Sequence, residues 1–160
     1  MTALGGVGAH APPPCVAVSL RKARHSYESI LERKAFTVGI PSESRMAEAD
    51  YVGIASGRDA DKFAVAGLTP VRSDLVDAPY AGEFPVVLEC RLLQVVEIGV
   101  HTQFIGEIVD VKADNAVLAE DGLPDILKVK PMVYDTGHNG YYSVGSNLGQ
   151  AFAAGKGLIR

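Results

Sequence analysis

Residues 85–112 read PVVLECRLLQVVEIGVHTQFIGEIVDVK and give the clearest indication of the fold. Both halves are rich in β-branched and large apolar residues that partly alternate with polar ones, which is typical of β-strands. Only Gly99 and Val100 separate the halves, and so short a connection joins strands that run antiparallel. The stretch therefore predicts a long antiparallel hairpin, with strands over Pro85–Gly99 and His101–Lys112.

Shorter elements are predicted before this hairpin. In chain order they are a buried strand at Cys15–Leu20, a helix from an N-cap at Ser26 to Lys34, a strand at Ala35–Ile40, a helix through Met46, Ala49 and Tyr51, and a short helix from Asp59 to Ala66. Long antiparallel strands with a few short helices between them are typical of a mainly β barrel and not of alternating βαβ units. We therefore expect a single β-barrel domain over residues 1–160.

The composition narrows the class of protein. The chain has 160 residues, of which 48% are hydrophobic, and this is enough to build the core of one domain. No apolar run approaches the roughly 18 residues that cross a bilayer, and residues 1–14 lack the features of a secretory signal. We therefore expect a cytoplasmic protein without a membrane partner. The net charge of −4 argues against nucleic acid as a partner.

Several kinds of chemistry find no support in the sequence. Cys15 and Cys90 lie inside apolar runs, without the spacing of metal ligands, and are expected to be buried thiols. No HxH or HExxH pattern indicates a metal site, and no GxxxxGK spacing indicates nucleotide hydrolysis. The nucleophile elbow GxSxG and the dinucleotide fingerprint GxGxxG are also missing.

The segment Ser19-Leu-Arg21-Lys-Ala-Arg24-His-Ser26 carries the strongest chemical signal. Arg21 and Arg24 fall on a turn between a strand and a helix start, where guanidinium groups, the Ser26 hydroxyl and free N–H groups can bind a dianion. The same residues also suit a solvated basic turn in which Ser26 only caps the helix. Taken alone, they leave a phosphate site and a solvated turn both open.

Two other features carry possible chemistry of their own. In Ser56-Gly57-Arg-Asp-Ala-Asp-Lys62, the glycine allows close approach of the backbone and Lys62 can reach an anion. A capped surface helix with an internal Asp-Lys pair also explains this segment. His101 opens the second strand of the hairpin and could transfer protons, or it could be an ordinary surface histidine.

Short motifs occur in a fixed order along the chain. They are Met1-Thr2, Pro13-Pro14, Ser19-Leu-Arg21 with Arg24-His-Ser26-Tyr27, Ser56-Gly-Arg-Asp-Ala-Asp-Lys62-Phe63, Gly67-Leu-Thr-Pro70, and Gly99-Val-His101-Thr-Gln-Phe-Ile-Gly106-Glu107. In this order and spacing the sequence resembles the flavin reductase-like family, most closely its flavoredoxin branch, from Met1 to about Gly157.

The resemblance implies a split β-barrel related to the pyridoxamine-phosphate oxidase fold, FMN bound without a covalent link, and a homodimer with the flavin near the subunit interface. It implies phosphate binding by Arg21, Arg24 and Ser26 with Ser19 close by, flavin contacts from Thr2, Ala3, Ser56, Gly57 and Lys62, and a catalytic position near the flavin and nicotinamide for His101.

The sequence departs from the family pattern in two ways. Gly5 stands where relatives usually place Trp, which leaves the flavin face more open. Relatives also begin one strand earlier, so we expect either a lost first strand or a misassigned chain start. A lost edge strand would bare unpaired backbone groups that a dimer partner must cover.

Three functions follow as hypotheses. The leading one is an FMN-binding redox protein that transfers electrons through tightly held flavin. The alternative is an NAD(P)H:flavin oxidoreductase that takes FMN as a substrate. The third is a binding module without redox activity, which uses the anion site for another ligand. NAD(P)H and a redox protein are the two candidate electron donors, and the sequence does not choose between them. It does not indicate the electron acceptor.

Overall fold

The computed structural model describes residues 2–3 and 13–159, with the side chains of residues 13–159. The strands are β1 (Thr2–Ala3), β2 (Cys15–Leu20), β3 (Ala35–Ile40), β4 (Pro70–Arg72), β5 (Pro79–Ala81), β6 (Val86–Ile98), β7 (His101–Ala113), β8 (Met132–Asp135) and β9 (Gly140–Ser143). The α-helices are α1 (Ser26–Arg33), α2 (Met46–Ile54), α3 (Lys62–Ala66) and α4 (Ile126–Val129), and 3-10 turns lie at Glu43–Arg45, Asn115–Val117 and Lys156–Leu158. None of the helices described has the length and apolarity needed to traverse a membrane.

The predicted hairpin is confirmed. Strands β6 and β7 have 13 residues each and pair antiparallel from Val86 and Ala113 to Ile98 and His101. Gly99 in the connecting turn has φ of 57°, a left-handed conformation that glycine adopts without steric cost. The pairing shifts register twice along β6, and such bulges bend a strand and increase its twist. The long hairpin is therefore curled instead of flat.

Strand β7 lies at the centre of the main sheet. Strand β6 pairs with one of its edges, and β3 pairs with the outer edge of β6. Strands β1 and β2 both pair with the other edge of β7, one after the other along its length. Two small antiparallel sheets, β4 with β5 and β8 with β9, complete the strands described. The chain is mainly β with a few short helices, as predicted.

The main core lies between α1 and one face of the sheet. Tyr27 and Ile30 of α1 pack on Phe36, Cys90 and Phe104, of which the last two are fully buried. The rings of Tyr27 and Phe104 meet edge to face, with centroids 5.3 Å apart. A ring pair of this geometry adds to the stabilisation that comes from burial alone. Helix α1 is therefore anchored by the residue that directly follows the predicted phosphate segment.

The prediction that Cys15–Leu20 is a buried strand was wrong in part. Exposed and half-buried residues alternate along β2, because only the face with Val16 and Val18 packs against the core. Cys15 is therefore exposed, contrary to expectation, whereas Cys90 is fully buried, as expected. Burial, followed by the neighbouring Cys15 and Glu89, raises the pKa of the Cys90 thiol to about 11.

Candidate functional site

The predicted phosphate segment forms a tight turn that leads into α1. The Arg24 backbone N–H donates to the Arg21 carbonyl at 3.0 Å, and the Tyr27 N–H donates to the Arg24 carbonyl at 3.1 Å. The prediction that Ser26 caps the helix was wrong, because His25 takes the N-cap position and Ser26 is the first helical residue. The Ser26 hydroxyl makes no hydrogen bond to any residue that the structure describes. Ser26 is exposed and its hydroxyl can donate to a ligand.

The second predicted segment folds into a turn before α3. The Ser56 carbonyl accepts from the N–H groups of Asp59 and Ala60, both at 3.2 Å. This turn delays the helix, which begins at Lys62 and not at Asp59 as predicted. Asp61 is the cap, because its side chain accepts from the backbone N–H of Ala64 at 3.2 Å. The helix therefore presents Lys62 on its first turn.

Lys62 is held in place by the end of another helix. Its Nζ donates to the carbonyl of Val52, in the last turn of α2, at 2.6 Å. Such terminal carbonyls lack a partner within their own helix, and a cation near them is favourable. The Asp-Lys pair that we considered from the sequence is not among the ion pairs of the described residues. An ammonium group has three donors, so Lys62 keeps two for a ligand.

The fold brings the two segments together. A Cβ atom on Gly57 would lie only 2.9 Å from Cδ2 of the His25 ring, so the Ser56-Gly57 turn packs closely on the first segment. Lys62 feels the charge of Arg24: burial, followed by repulsion from this guanidinium, lowers the pKa of Lys62 below its ordinary value. Among the residues described, Arg24 has no carboxylate or carbonyl partner. Two cations without a counter-ion therefore lie near each other.

This proximity predicts a measurable coupling. Because the folded pKa of Lys62 lies below the unfolded value, the unfolded chain holds more protons between these two values, and stability rises with pH through that alkaline window. Arg24→Ala should raise the Lys62 pKa part of the way towards its ordinary value, since the contribution of burial remains. NMR titration of the Lys62 side chain in both proteins measures this change. An identical titration would show that the two cations do not interact.

A cavity of about 360 Å³ adjoins the two cationic segments. Ser26 and Lys62 line it together with Thr37, Gly39, Val52, Phe63, Leu68, Pro79, Tyr80, Ala81 and Phe84. Most of these side chains are apolar or aromatic, with a few polar groups among them, which is the usual make-up of a small-molecule site. The cavity therefore suits a ligand that has one anionic end and a flat apolar body.

The sequence alone did not reveal the cavity wall. The Thr37 hydroxyl donates to the Pro79 carbonyl at 2.7 Å and fixes the 79–84 segment over β3. Gly39 allows this close packing, because a Cβ atom there would lie 2.5 Å from the ring of Phe84. Thr37, Tyr80 and Phe84 line the cavity through this long-range contact, which no local motif indicates.

The hairpin brings His101 to the phosphate segment. Arg21 Nε donates to His101 Nε2 at 3.4 Å, so this ring nitrogen acts as the acceptor. Ser19 pairs with Gln103, two residues further along β7. Both His101 and Ser19 are exposed. Ser19, Arg21 and His101 therefore lie at one end of the sheet.

Thr2 and Ala3 form β1, which lies beside another part of β7. They pair with Ala113 and Lys112, at the opposite end of β7 from Gln103. A separation of about ten residues corresponds to roughly 33 Å of extended strand. The structure thus does not bring the backbone of Thr2 and Ala3 together with Ser19 within one chain, and their side chains lie outside the described residues.

Solved structures of two flavoredoxins are similar to this chain in both sequence and fold. The chain is similar to the solved flavoredoxin of Desulfovibrio vulgaris (Miyazaki F), with 52% identity, a TM-score of 0.86, and coverage of 96% of this chain and 81% of that chain. It is similar to flavoredoxin from Methanosarcina acetivorans, with 31% identity, a TM-score of 0.86, and coverage of 97% and 81%.

The fold also matches that of a more distant protein. This is a putative flavin reductase with a split barrel domain from Shewanella frigidimarina, with 24% identity, a TM-score of 0.77, and coverage of 92% and 74%. The predicted split barrel is therefore confirmed. The chain spans 63%, 36% and 64% of the length of the first three curated relatives that it matches. The family model of the flavin reductase like domain matches residues 2–143, so the chain belongs to the flavin reductase-like family.

Proposed function

We propose that the chain is an FMN-binding redox protein of the flavoredoxin kind, which works as a cytoplasmic homodimer. The observation that carries this proposal is the pair of neighbouring cations, Arg24 and Lys62, beside a largely apolar cavity. A flavin phosphate would neutralise the repulsion between them, while the cavity would receive part of the ring system. The 52% identity with a flavoredoxin supports the same ligand.

The residues of the site fit a phosphate ester. Arg24 and Ser26 offer donors that no described residue uses, and Lys62 offers two more. Charge-assisted hydrogen bonds from such groups to phosphate are stronger than neutral ones. Arg21 adds a second guanidinium, which is oriented by the hydrogen bond from its Nε to His101. We propose that these groups hold the phosphate, with Ser19 close to them.

The remaining predicted contacts are proposed for the rest of the flavin. Ser56 and Gly57 would contact it through a turn that packs against His25. His101 is exposed beside Arg21 and is our candidate for proton transfer near the flavin. Thr2 and Ala3 would contribute to the same flavin from a second copy of the chain. When bound, FMN supplies the electron-transfer chemistry, and the protein supplies binding and electrostatics.

A second function has a specific observation in its favour. Arg21, Arg24 and Ser26 are all exposed, and an open phosphate site lets a ligand leave easily. This exposure favours an NAD(P)H:flavin oxidoreductase, in which FMN is a substrate that binds and dissociates in each cycle.

Absorbance spectroscopy separates these functions. The purified protein, incubated with FMN and passed through a desalting column, should keep the absorbance of bound flavin, because the phosphate and the ring are both held. Steady consumption of NADH or NADPH that requires added free FMN would favour the oxidoreductase instead. A protein that remains colourless after incubation with FMN and consumes no nicotinamide would refute both functions.

A further inference from the structure

A second cavity lies beside the C-terminal end of α1. Its volume is about 430 Å³, which is within the range of small-molecule sites. Four charged and four aliphatic side chains line it, and none of them lines the cavity proposed for FMN. A ligand in this second cavity would therefore not depend on the proposed flavin site.

The loop that forms one wall of this cavity is held at both ends. The buried Ser73 hydroxyl accepts from the backbone N–H groups of Leu75 and Val76, both at 3.0 Å. Asp77, which ends the loop, accepts from the Arg33 guanidinium of α1 at 2.9 Å. Because these hydrogen bonds need no ligand, the wall is formed in advance, as in most small-molecule sites.

Two irregular backbone positions lie at the same cavity. Val109 is the unpaired residue where the register of β6 and β7 shifts, and bulges of this kind re-aim side chains. Lys34 follows α1 with φ of 54°, a left-handed conformation that costs energy for a residue with a Cβ atom. Strained positions cluster at functional sites, so the use of a lysine here suggests that its side chain binds something.

Lys34 differs from the other lysine that has this conformation among the described residues. Lys130 has φ of 50° after α4, and its ammonium pairs with Glu43 at 3.5 Å. The Lys34 ammonium has no ion-pair or hydrogen-bond partner within residues 13–159. Its charge is therefore available to a ligand in the cavity that it lines.

The charges around the cavity favour a monoanion. The lining carries three cations and one anion, which are Arg33, Lys34, Arg91 and Asp77. Glu107, which is not part of the lining, pairs with Arg91, so one positive charge remains. Each of the two guanidinium groups donates to one carboxylate and keeps further donors. We infer that this cavity binds a small aliphatic monocarboxylate, with its carboxylate on Lys34 and its chain against the aliphatic wall.

NMR titration of the ¹⁵N-labelled full chain with hexanoate tests this site. The amide signals of Lys34, Val76 and Val109 should shift, and saturating FMN should leave the hexanoate dissociation constant unchanged, because the two cavities share no lining residue. Hexan-1-ol has the same chain without the charge and should bind at least about 10-fold more weakly. Absence of shifts, shifts confined to the amides around Lys62, competition with FMN, or equal affinity for the alcohol would overturn the inference.

Two matched variants locate the carboxylate. Lys34→Gly and Lys130→Gly each remove a lysine from a left-handed position that glycine adopts without strain, so both variants should fold. Lys34→Gly should raise the hexanoate dissociation constant by about 10-fold, which is the effect of losing one charged hydrogen bond. Lys130→Gly should leave the constant unchanged, because Lys130 follows α4 and pairs with Glu43. Equal constants for the two variants would show that Lys34 does not hold the carboxylate and would overturn the inference.

Discussion

Replacing Arg24 with alanine is expected to lower the affinity for FMN by about 10- to 150-fold, since hydrogen bonds to charged groups contribute roughly 1.5–3 kcal/mol. The Arg24 guanidinium lies near Lys62 and has no attractive partner among the described residues. Its loss should therefore change the free energy of unfolding by no more than about 0.5 kcal/mol. Titration calorimetry with FMN and urea unfolding of the same variant measure both quantities.

Two controls separate a phosphate contact from a general effect of charge. Lys22→Ala removes an equal charge from the same turn, but the Lys22 ammonium is already paired with Glu97 at 2.8 Å and should matter little for FMN. Riboflavin lacks the phosphate, so its affinity should not respond to Arg24→Ala. Equal losses of affinity for FMN and riboflavin would place the phosphate away from Arg24.

The largest expected effect on stability is at Phe104. Its side chain is fully buried and packs edge to face against Tyr27, so truncation to alanine leaves a cavity beneath α1. Phe104→Ala should lower the free energy of unfolding by about 3–5 kcal/mol. Because Tyr27 directly follows Ser26 in the helix, the loosened helix should also bind FMN more weakly. Urea unfolding gives the stability, with the slope as a check on two-state behaviour.

Matched variants give the scale for this loss. Phe104→Leu refills most of the volume and should cost clearly less than alanine. Val100→Ala shortens an apolar side chain in the hairpin turn that is 72% exposed, and it should change stability by no more than about 0.5 kcal/mol. If Phe104→Ala is as mild as Val100→Ala, the core is not built around this ring.

The sheet could be predicted from the sequence because its signal is local. In residues 85–112, the run of strand-forming residues, the two-residue turn and the length of each half all indicate the same structure. The antiparallel hairpin follows from them. Cys15–Leu20 was recognised as a strand for the same reason. Its exposure was not, because an apolar run does not reveal whether a second layer covers the outer face.

Helix starts and buried polar side chains were harder to predict. Ser56, Asp59 and Asp61 precede α3, and the side chain of each could cap a helix. The turn at Ser56, which the sequence does not reveal, makes Asp61 the cap and not Asp59. Glu89 is fully buried in β6, with the Lys112 ammonium 3.4 Å from its carboxylate. In the sequence it is one polar residue within a strand, and the local pattern does not show that it is buried.

The candidate site residues could be chosen from the sequence, but the cavity beside them could not. Arg21, Arg24 and Ser26 share one turn, so local reading brings them together. The approach of Lys62 and Gly57 depends on how α3 packs against that turn, and the family resemblance, not local pattern, joined the two segments. Thr37 and Phe84 entered the cavity wall only through the packing of the 79–84 segment.

A crystal structure of the chain with FMN would show which residues hold the phosphate. We predict phosphate oxygens within about 3.2 Å of the Arg24 guanidinium and of the Ser26 hydroxyl, with the Lys62 ammonium facing the same group. A phosphate bound elsewhere, with the guanidinium groups of Arg21 and Arg24 both directed into solvent, would contradict the proposed site.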